Sequence, residues 1–371
     1  MPIHPLKRFE DKSRDFVMWL DYLAYAILNP FKFKPFPKKV ERILVVELLK
    51  MGDLLVATPT IRALKEKFKD AQIDVLVLPE IKDLLKNNPF VNEVLIYASP
   101  KKTKEVISSK KYDLSIMLHP GSFKISWLLF CAKVKYRLGC TKAGIRYGKG
   151  FFLNKKLKPN LIWQHKIEDN LDVVRSINVD TNNKQIVLPI EEIAKKKISS
   201  LTKKFGKKLI GIHAPSLHRS QQWVPERFAE VADSLVKLHK CHIVFTGTDE
   251  DKDYINRIIS MTEKKSNMVN LAGKTNLQEY IALIDRLSLL ISVDTGALHI
   301  ASAVSTPTVA LFGPTIPVIW GPSYPKSRVI WKEKAACVGC RKYSCVFNKD
   351  FECMRSINVI DVLKQVGVLL R

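Results

Sequence analysis

Acidic residues are scarce in this chain: 36 Asp and Glu stand against 61 Lys and Arg, a net charge of +25 over 371 residues. Such an imbalance predicts an anionic partner, whether nucleic acid, an anionic membrane surface or a phosphorylated substrate, and charge alone does not choose among them. No aromatic–basic ribonucleoprotein motif and no paired zinc-finger spacing is found, so no nucleic-acid partner is expected. A long apolar run is missing too. Phe16 to Leu28 covers 13 residues and includes Asp21, whereas a bilayer-spanning helix needs about 20. Met1 to Asp15 is polar, so no cleavable signal peptide is expected, and the predicted location is cytoplasmic.

The aromatic content of Phe16 to Leu28 and its basic flanks (Lys7, Arg8, Lys12 and Arg14 before; Lys32, Lys34, Lys38 and Lys39 after) fit an amphipathic helix lying among lipid headgroups. The protein would then be peripheral on the inner face of the cytoplasmic membrane. The plainer alternative is a helix packed on the body of the protein, with the basic residues as solvated charge.

Seven cysteines form two groups. Cys131, Cys140 and Cys241 are scattered and read as buried thiols. Cys337, Cys340, Cys345 and Cys353 are clustered as C-x2-C-x4-C-x7-C, a spacing that suits structural zinc, an iron–sulfur cluster or disulfides. The expected cytoplasmic location argues against disulfides, and plain structural thiols are the alternative to a metal.

At this length two domains are the prior. The pattern after the Pro- and Lys-rich link Asn29 to Lys39 alternates strand and helix. Ile43 to Val46 is a continuous apolar run, as a parallel strand covered on both faces requires. Leu54 to Phe68 carries helical spacing, and Ile73 to Leu78, Val94 to Tyr97 and Asp113 to Leu118 continue the strands. Mixed polarity and a dense run of lysines mark Asn170 to Lys208, with a linker expected near Pro189. A second series follows: strands Leu209 to His213, His242 to Thr246, Leu289 to Val293 and Thr308 to Phe312, and helices Pro225 to His239, Asp251 to Met261 and Leu277 to Arg286, the last opened by a Thr275/Gln278 capping box. The expected organisation is a basic N-terminal segment (1–39), two Rossmann-like domains (40–188 and 189–355, the second ending in the four-cysteine tail) and a C-terminal helix (356–371).

The chemistry-bearing residues fall at strand C-terminal ends, where α/β sheets bind ligands. Asp294, Thr295 and Gly296 join a strand to a helix that contains His299, so backbone N–H groups and the positive dipole end face outward. That predicts a phosphate site, with Gly296 permitting close approach, Thr295 donating and Asp294 accepting from a sugar hydroxyl. Lys50, Gly52 and Asp53 follow the first strand: Asp53 reads either as a helix cap or as a general base, and Lys50 adds positive potential. Ser216, His218 and Arg219 offer phosphate donors after Leu209 to His213, while Trp223 is expected to anchor the next helix in the core. The acidic run Asp249 to Asp253 suits ribose hydroxyls, a divalent cation or simply a helix N-terminus.

Met51-Gly52-Asp53 with Thr58-Pro59, Trp223-Val224-Pro225, Asp294-Thr295-Gly296-x-x-His299, Gly313-Pro314-Thr315 and the cysteine tail together resemble glycosyltransferase family 9, the heptosyltransferases of lipopolysaccharide core assembly. The resemblance runs from about residue 40 to 365. It implies a GT-B type fold of two facing Rossmann-like domains, an acceptor on the first and an ADP-heptose-like nucleotide-diphosphate sugar on the second. It further implies an inverting transfer to a glycolipid or glycan of the lipopolysaccharide-core kind, with Asp53 as base and no cofactor required. Ser216, Arg219, Gln221, Glu250, Asp251, Asp294, Thr295, Gly296 and His299 then line the donor side. Two departures stand there. The family usually carries Lys two positions before the tryptophan, where this chain has Gln221, and Val224 separates Trp223 from its proline; a donor other than ADP-heptose fits these changes. The competing readings are a nucleotide-sugar epimerase on the same fold and a non-catalytic protein that binds nucleotide-sugars or anionic glycans.

Overall fold

The computed structural model describes every residue except 1–15, 18, 21, 119–121, 140–149, 158–162, 207, 334–338, 341–344 and 346–349. Lys7, Arg8, Lys12, Arg14, Cys140 and Cys337 therefore lie outside the described residues. The chain divides into two compact units, Ile3–Pro189 and Ile190–Arg371.

In the first unit, strands β1 (Arg42–Val46), β2 (Gln72–Val77), β3 (Glu93–Ile96), β4 (Leu114–Met117), β5 (Tyr136–Gly139) and β6 (Lys155–Lys156) form one sheet ordered β3-β2-β1-β4-β5-β6. Each neighbouring pair is parallel, with Val45 opposite Val75 on one side and Ile116 on the other. Central β1 is buried on both faces, which is why Ile43 to Val46 reads as an uninterrupted apolar run. Helix Met51–Lys67 follows β1 and packs on helix Lys166–Arg175. Pro59 sits inside the first of these and has no N–H for the carbonyl of Leu55. Thr58 supplies the missing donor: its hydroxyl donates to Leu55 O at 2.8 Å and accepts from Val187 N at 2.9 Å.

The second unit repeats the plan with β7 (Leu209–His213), β8 (His242–Phe245), β9 (Met268–Asn270), β10 (Leu289–Val293), β11 (Thr308–Phe312) and β12 (Ser327–Trp331), ordered β12-β11-β10-β7-β8-β9 and parallel throughout. Both sheets thus have the Rossmann order 3-2-1-4-5-6, with its switch point between β1 and β4 in one and β7 and β10 in the other. Helix Pro225–His239 enters at Trp223, which is buried, edge-on to Phe228 at 4.9 Å, and donates from Nε1 to Ile357 O at 3.0 Å. The C-terminal helix Val359–Leu369 packs on Pro225–His239 through buried Val362 and Val366.

Several details differ from expectation. The capping box of helix Leu277–Arg286 is Asn276 with Glu279, one residue later than Thr275 and Gln278, because Gln278 is buried and accepts from Glu191 N at 3.4 Å. The lysine-dense stretch contains helix Glu192–Thr202, which buries only Ala194, Ile198 and Thr202, four residues apart on one face. A 3-10 turn at Asp249–Asp251 precedes helix Lys252–Ser260. Cys241 is buried as expected, but Cys131 is only partly so.

Candidate active site

In the first unit, the turn after β1 delivers Lys50, Gly52 and Asp53 to the sheet's C-terminal edge, with Lys50 at the N-cap and Asp53 in the first turn of helix Met51–Lys67. The helix N-terminus favours a carboxylate there, but burial dominates and pushes the acid up to about 6 against the pull of Lys166 and the backbone amides. Two buried ionisable side chains lie near this partly buried acid. Glu47 directly follows β1 and is 2% exposed, with one carboxylate oxygen lacking a hydrogen-bond partner. Burial, and then repulsion from Asp53, hold Glu47 well above the usual carboxylate range. Lys166, 4% exposed, pairs with Asp169 at 3.2 Å. The sequence offered only a faint signal for either: an acid directly after an apolar run, and a lone lysine at the start of a helix.

In the second unit, the two loops at the β7/β10 switch point meet. Gln221 Nε2 donates to Asp294 Oδ2 at 3.0 Å, and Ser216 Oγ donates to Gln221 Oε1 at 3.0 Å. Burial raises Asp294 to about 6; Thr315, whose hydroxyl is buried beside it without a well-formed hydrogen bond, and Gln221 pull the other way. Thr295 is the N-cap of helix Gly296–Ala303 but caps it with no side-chain hydrogen bond; its hydroxyl lies 3.3 Å from Ser292 Oγ. The amide end of this helix is therefore open to an anion. His299, one turn in, is buried with its ring edge-on to Trp320 at 6.2 Å.

Arg219 opens the turn Arg219–Gln221 as an exposed residue, its guanidinium 5.7 Å from the Phe351 ring. After β8, Asp251 is consumed locally: one carboxylate oxygen accepts from both the amide and the hydroxyl of Thr248 at 2.8 Å. Glu250 beside it is exposed. Of these two acids, Glu250 is the one with an uncommitted position at the strand edge. The structure also brings together a group that the sequence did not single out: His213 Nδ1 lies 3.0 Å from Thr246 Oγ1 and 3.4 Å from Tyr280 Oη, and burial lowers this histidine to about 4.

The cysteine tail folds back on β11. Gly313 O accepts from Trp331 Nε1 at 3.2 Å and from Gly339 N at 3.0 Å, and a Cβ on Gly313 would meet Met354 Sδ at 2.6 Å. Cys353 is buried beside it, while Cys340 and Cys345 are half-buried. Among the described residues, no three His, Cys, Asp or Glu side chains form a group that could hold a metal.

Comparison with known proteins adds to this geometry. The model of glycosyltransferase family 9 (heptosyltransferase) matches residues 101–350. The chain is 27% identical over 287 residues to lipopolysaccharide heptosyltransferase 3 of Escherichia coli, covering 73% of this chain and 83% of that one. Among solved structures, it is similar to E. coli ADP-heptose lps heptosyltransferase II, with TM-score 0.74, 24% identity and coverage of 89% of this chain and 98% of that one. It is also similar to the family 9 glycosyl transferase of Veillonella parvula, with TM-score 0.78, 22% identity and coverage of 89% and 97%. These two likenesses confirm the expected fold class.

Proposed function

Because the chain belongs to glycosyltransferase family 9 and is a glycosyltransferase, we propose that it moves a heptose or related sugar from a nucleotide-diphosphate donor to an anionic glycolipid of the lipopolysaccharide-core kind, with inversion. The observation that carries the reading is Asp53, a carboxylate in the first turn after β1 whose buried setting raises it to about 6. A base with its pKa near the operating pH combines ionisation with proton affinity. As the acceptor oxygen forms its bond to the anomeric carbon, Asp53 takes the hydroxyl proton. The bond from that carbon to the diphosphate oxygen breaks, and the nucleoside diphosphate leaves with the electron pair.

The leaving charge develops at the open amide end of helix Gly296–Ala303, where Thr295 and Gly296 stabilise it electrostatically. Ser216, Arg219 and His299 serve the phosphates in this reading, and Asp294 and Glu250 the sugar and ribose hydroxyls. Lys50 and Gly52 meet a phosphate of the acceptor. The donor is of the ADP-heptose type, and Gln221, a neutral amide, sets which one is preferred. The enzyme works in the cytoplasm at the inner face of the membrane; no helix among the described residues is long and apolar enough to cross a membrane.

The test is incubation with a panel of nucleotide-sugars, with and without a deacylated lipopolysaccharide-core acceptor. Nucleoside diphosphate release that requires acceptor, and that Asp53→Ala abolishes, supports the reading. Isomerisation of the sugar without acceptor, or full transfer by Asp53→Ala, overturns it.

A further inference from the structure

The described residues between Phe16 and Leu28 are helical, and the helix is turned the opposite way from an ordinary surface helix. Its polar-tipped residues face the protein: Tyr25 is buried and donates from Oη to Asn154 O at 2.9 Å. Asn29, just past the helix, is also buried and donates to Phe151 O at 2.6 Å and Leu153 O at 2.9 Å. The outward stripe is apolar. Phe16, Leu20, Leu23 and Ile27 recur at helical spacing and are 65%, 44%, 48% and 73% exposed, with Trp19 beside them.

A second element continues this surface. Phe31, in the turn after the helix, packs at 5.0 Å on Phe130 and at 6.2 Å on Phe152, and Phe152 in turn touches Trp127 at 4.7 Å and Phe123 at 5.5 Å. Phe123 and Trp127 lie on helix Phe123–Cys131 and are themselves exposed, as is Phe33. The charge along these segments is predominantly positive, Asp21 being the one acid within Phe16 to Leu28. Tyr22 to Val40 carries four lysines, of which Lys34, Lys38 and Lys39 are exposed, and no acidic residue; Ser122 to Gly139 adds exposed Lys124 and Lys133, while Lys135 pairs with Asp113 and Arg137 is buried. Exposed aromatic and aliphatic side chains ringed by cations match the boundary of an anionic bilayer, where the rings sit at headgroup level and the cations meet lipid phosphate. A second protein would have to supply both an apolar face and an anionic rim.

We propose that the outer stripe of the Phe16–Leu28 helix and the Phe123/Trp127 face of helix Phe123–Cys131 form one composite surface that seats on an anionic phospholipid bilayer. It gives the proposed function its geometry within this unit. Helix Phe123–Cys131 starts just beyond β4, whose end lies in register with β1 at Val46 and Met117, the sheet edge that carries Asp53. A membrane held at that surface presents a lipid-borne acceptor to the edge bearing the base. The inference rests on the glycolipid reading for this purpose alone.

The test is co-sedimentation of the full chain, without donor or acceptor, with vesicles of phosphatidylglycerol and phosphatidylethanolamine or of phosphatidylcholine alone. Binding to the anionic vesicles only, weakened by salt, is expected. Leu23→Ser/Ile27→Ser and Phe123→Ser/Trp127→Ser should each weaken partitioning by about tenfold or more, while leaving turnover of a deacylated acceptor unchanged. Unaltered binding of either double variant overturns the composite surface. Self-association of the free chain that the same variants abolish, without lipid binding, overturns it in favour of a second copy as occupant. Loss of transfer with intact lipid binding counts against the proposed function and leaves the surface standing.

Discussion

Gln221 joins two loops through one neutral side chain, its amide nitrogen donating to Asp294 at 3.0 Å while its oxygen accepts from Ser216 at 3.0 Å. A lysine at this position would replace a dipole by a charge beside the same carboxylate. Gln221→Lys is therefore expected to draw Asp294 below about 6 and to add attraction for a diphosphate. The donor KM should fall several-fold, roughly threefold to tenfold, in a salt-sensitive way. Gln221→Leu should do the reverse, since Asp294 and Ser216 lose a partner at a cost of about 1–3 kcal/mol. Donor titrations at two ionic strengths, with a urea melt of each variant, measure both effects.

Asp53 ties activity to pH and opposes stability. With its pKa near 6 in the folded chain and about 3.9 when unfolded, the native state binds the extra proton between those values. Its favourable contribution is complete below about 4 and is lost as pH rises through 6. Asp53→Asn removes the penalty of a buried charge, so at pH 7.5 the variant should be more stable by about 2–3 kcal/mol. That gain should shrink as the pH falls towards 4, while transfer is lost at every pH. In the parent enzyme, log kcat should rise with pH up to about 6 and then level off. A variant no more stable at pH 7.5, or a flat pH–rate profile, removes Asp53 from the role of buried base.

Lys166 is the cation that most lowers Asp53. Lys166→Met is expected to move the acidic limb of the pH–rate profile upward, leaving kcat on the high-pH plateau nearly intact. The substitution also strands Asp169, whose partner lies 3.2 Å away, so stability should fall by about 3 kcal/mol or more. Lys166→Met with Asp169→Asn should recover much of the stability without restoring the limb. That separates an electrostatic effect on the base from simple loss of fold.

The parts of the fold legible in the sequence are those whose signal is continuous burial. β10 and β11 are interior strands of their sheet, and all five residues of each are buried, so Leu289 to Val293 and Thr308 to Phe312 announce themselves. β6 does not, because it is two lysines held by backbone pairing with β5. Helix Glu192–Thr202 hides in a lysine run because three buried residues suffice to seat it. In the site, Gly and Asp at strand ends mark where ligand chemistry gathers, but not which side chain meets which. That Gln221 reaches Asp294 and that Lys166 lies near Asp53 depend on rotamers and on segments distant in sequence, which no spacing encodes, whereas Asp251 spent on Thr248 is a Thr-x-x-Asp capping box that spacing does encode.

Gly273 is where backbone conformation and the donor-side acids come together. Its φ is +67°, in the left-handed region, and a Cβ there would lie 2.4 Å from Asp249 Oδ1 and 2.8 Å from Asp249 Cα. The carboxylate end can swing away, but the backbone cannot. Gly273 N also donates to Gly247 O at 3.1 Å, so the turn is pinned against the loop that ends in Glu250 and Asp251. Gly273→Ala should cost about 1–2 kcal/mol for the left-handed conformation and more for the collision, lowering the urea midpoint measurably. Displacement of the Asp249–Asp251 turn should raise the donor KM while leaving the acceptor KM unchanged, because the acceptor residues sit in the other unit. If stability falls and neither KM moves, the acidic turn takes no part in holding the donor.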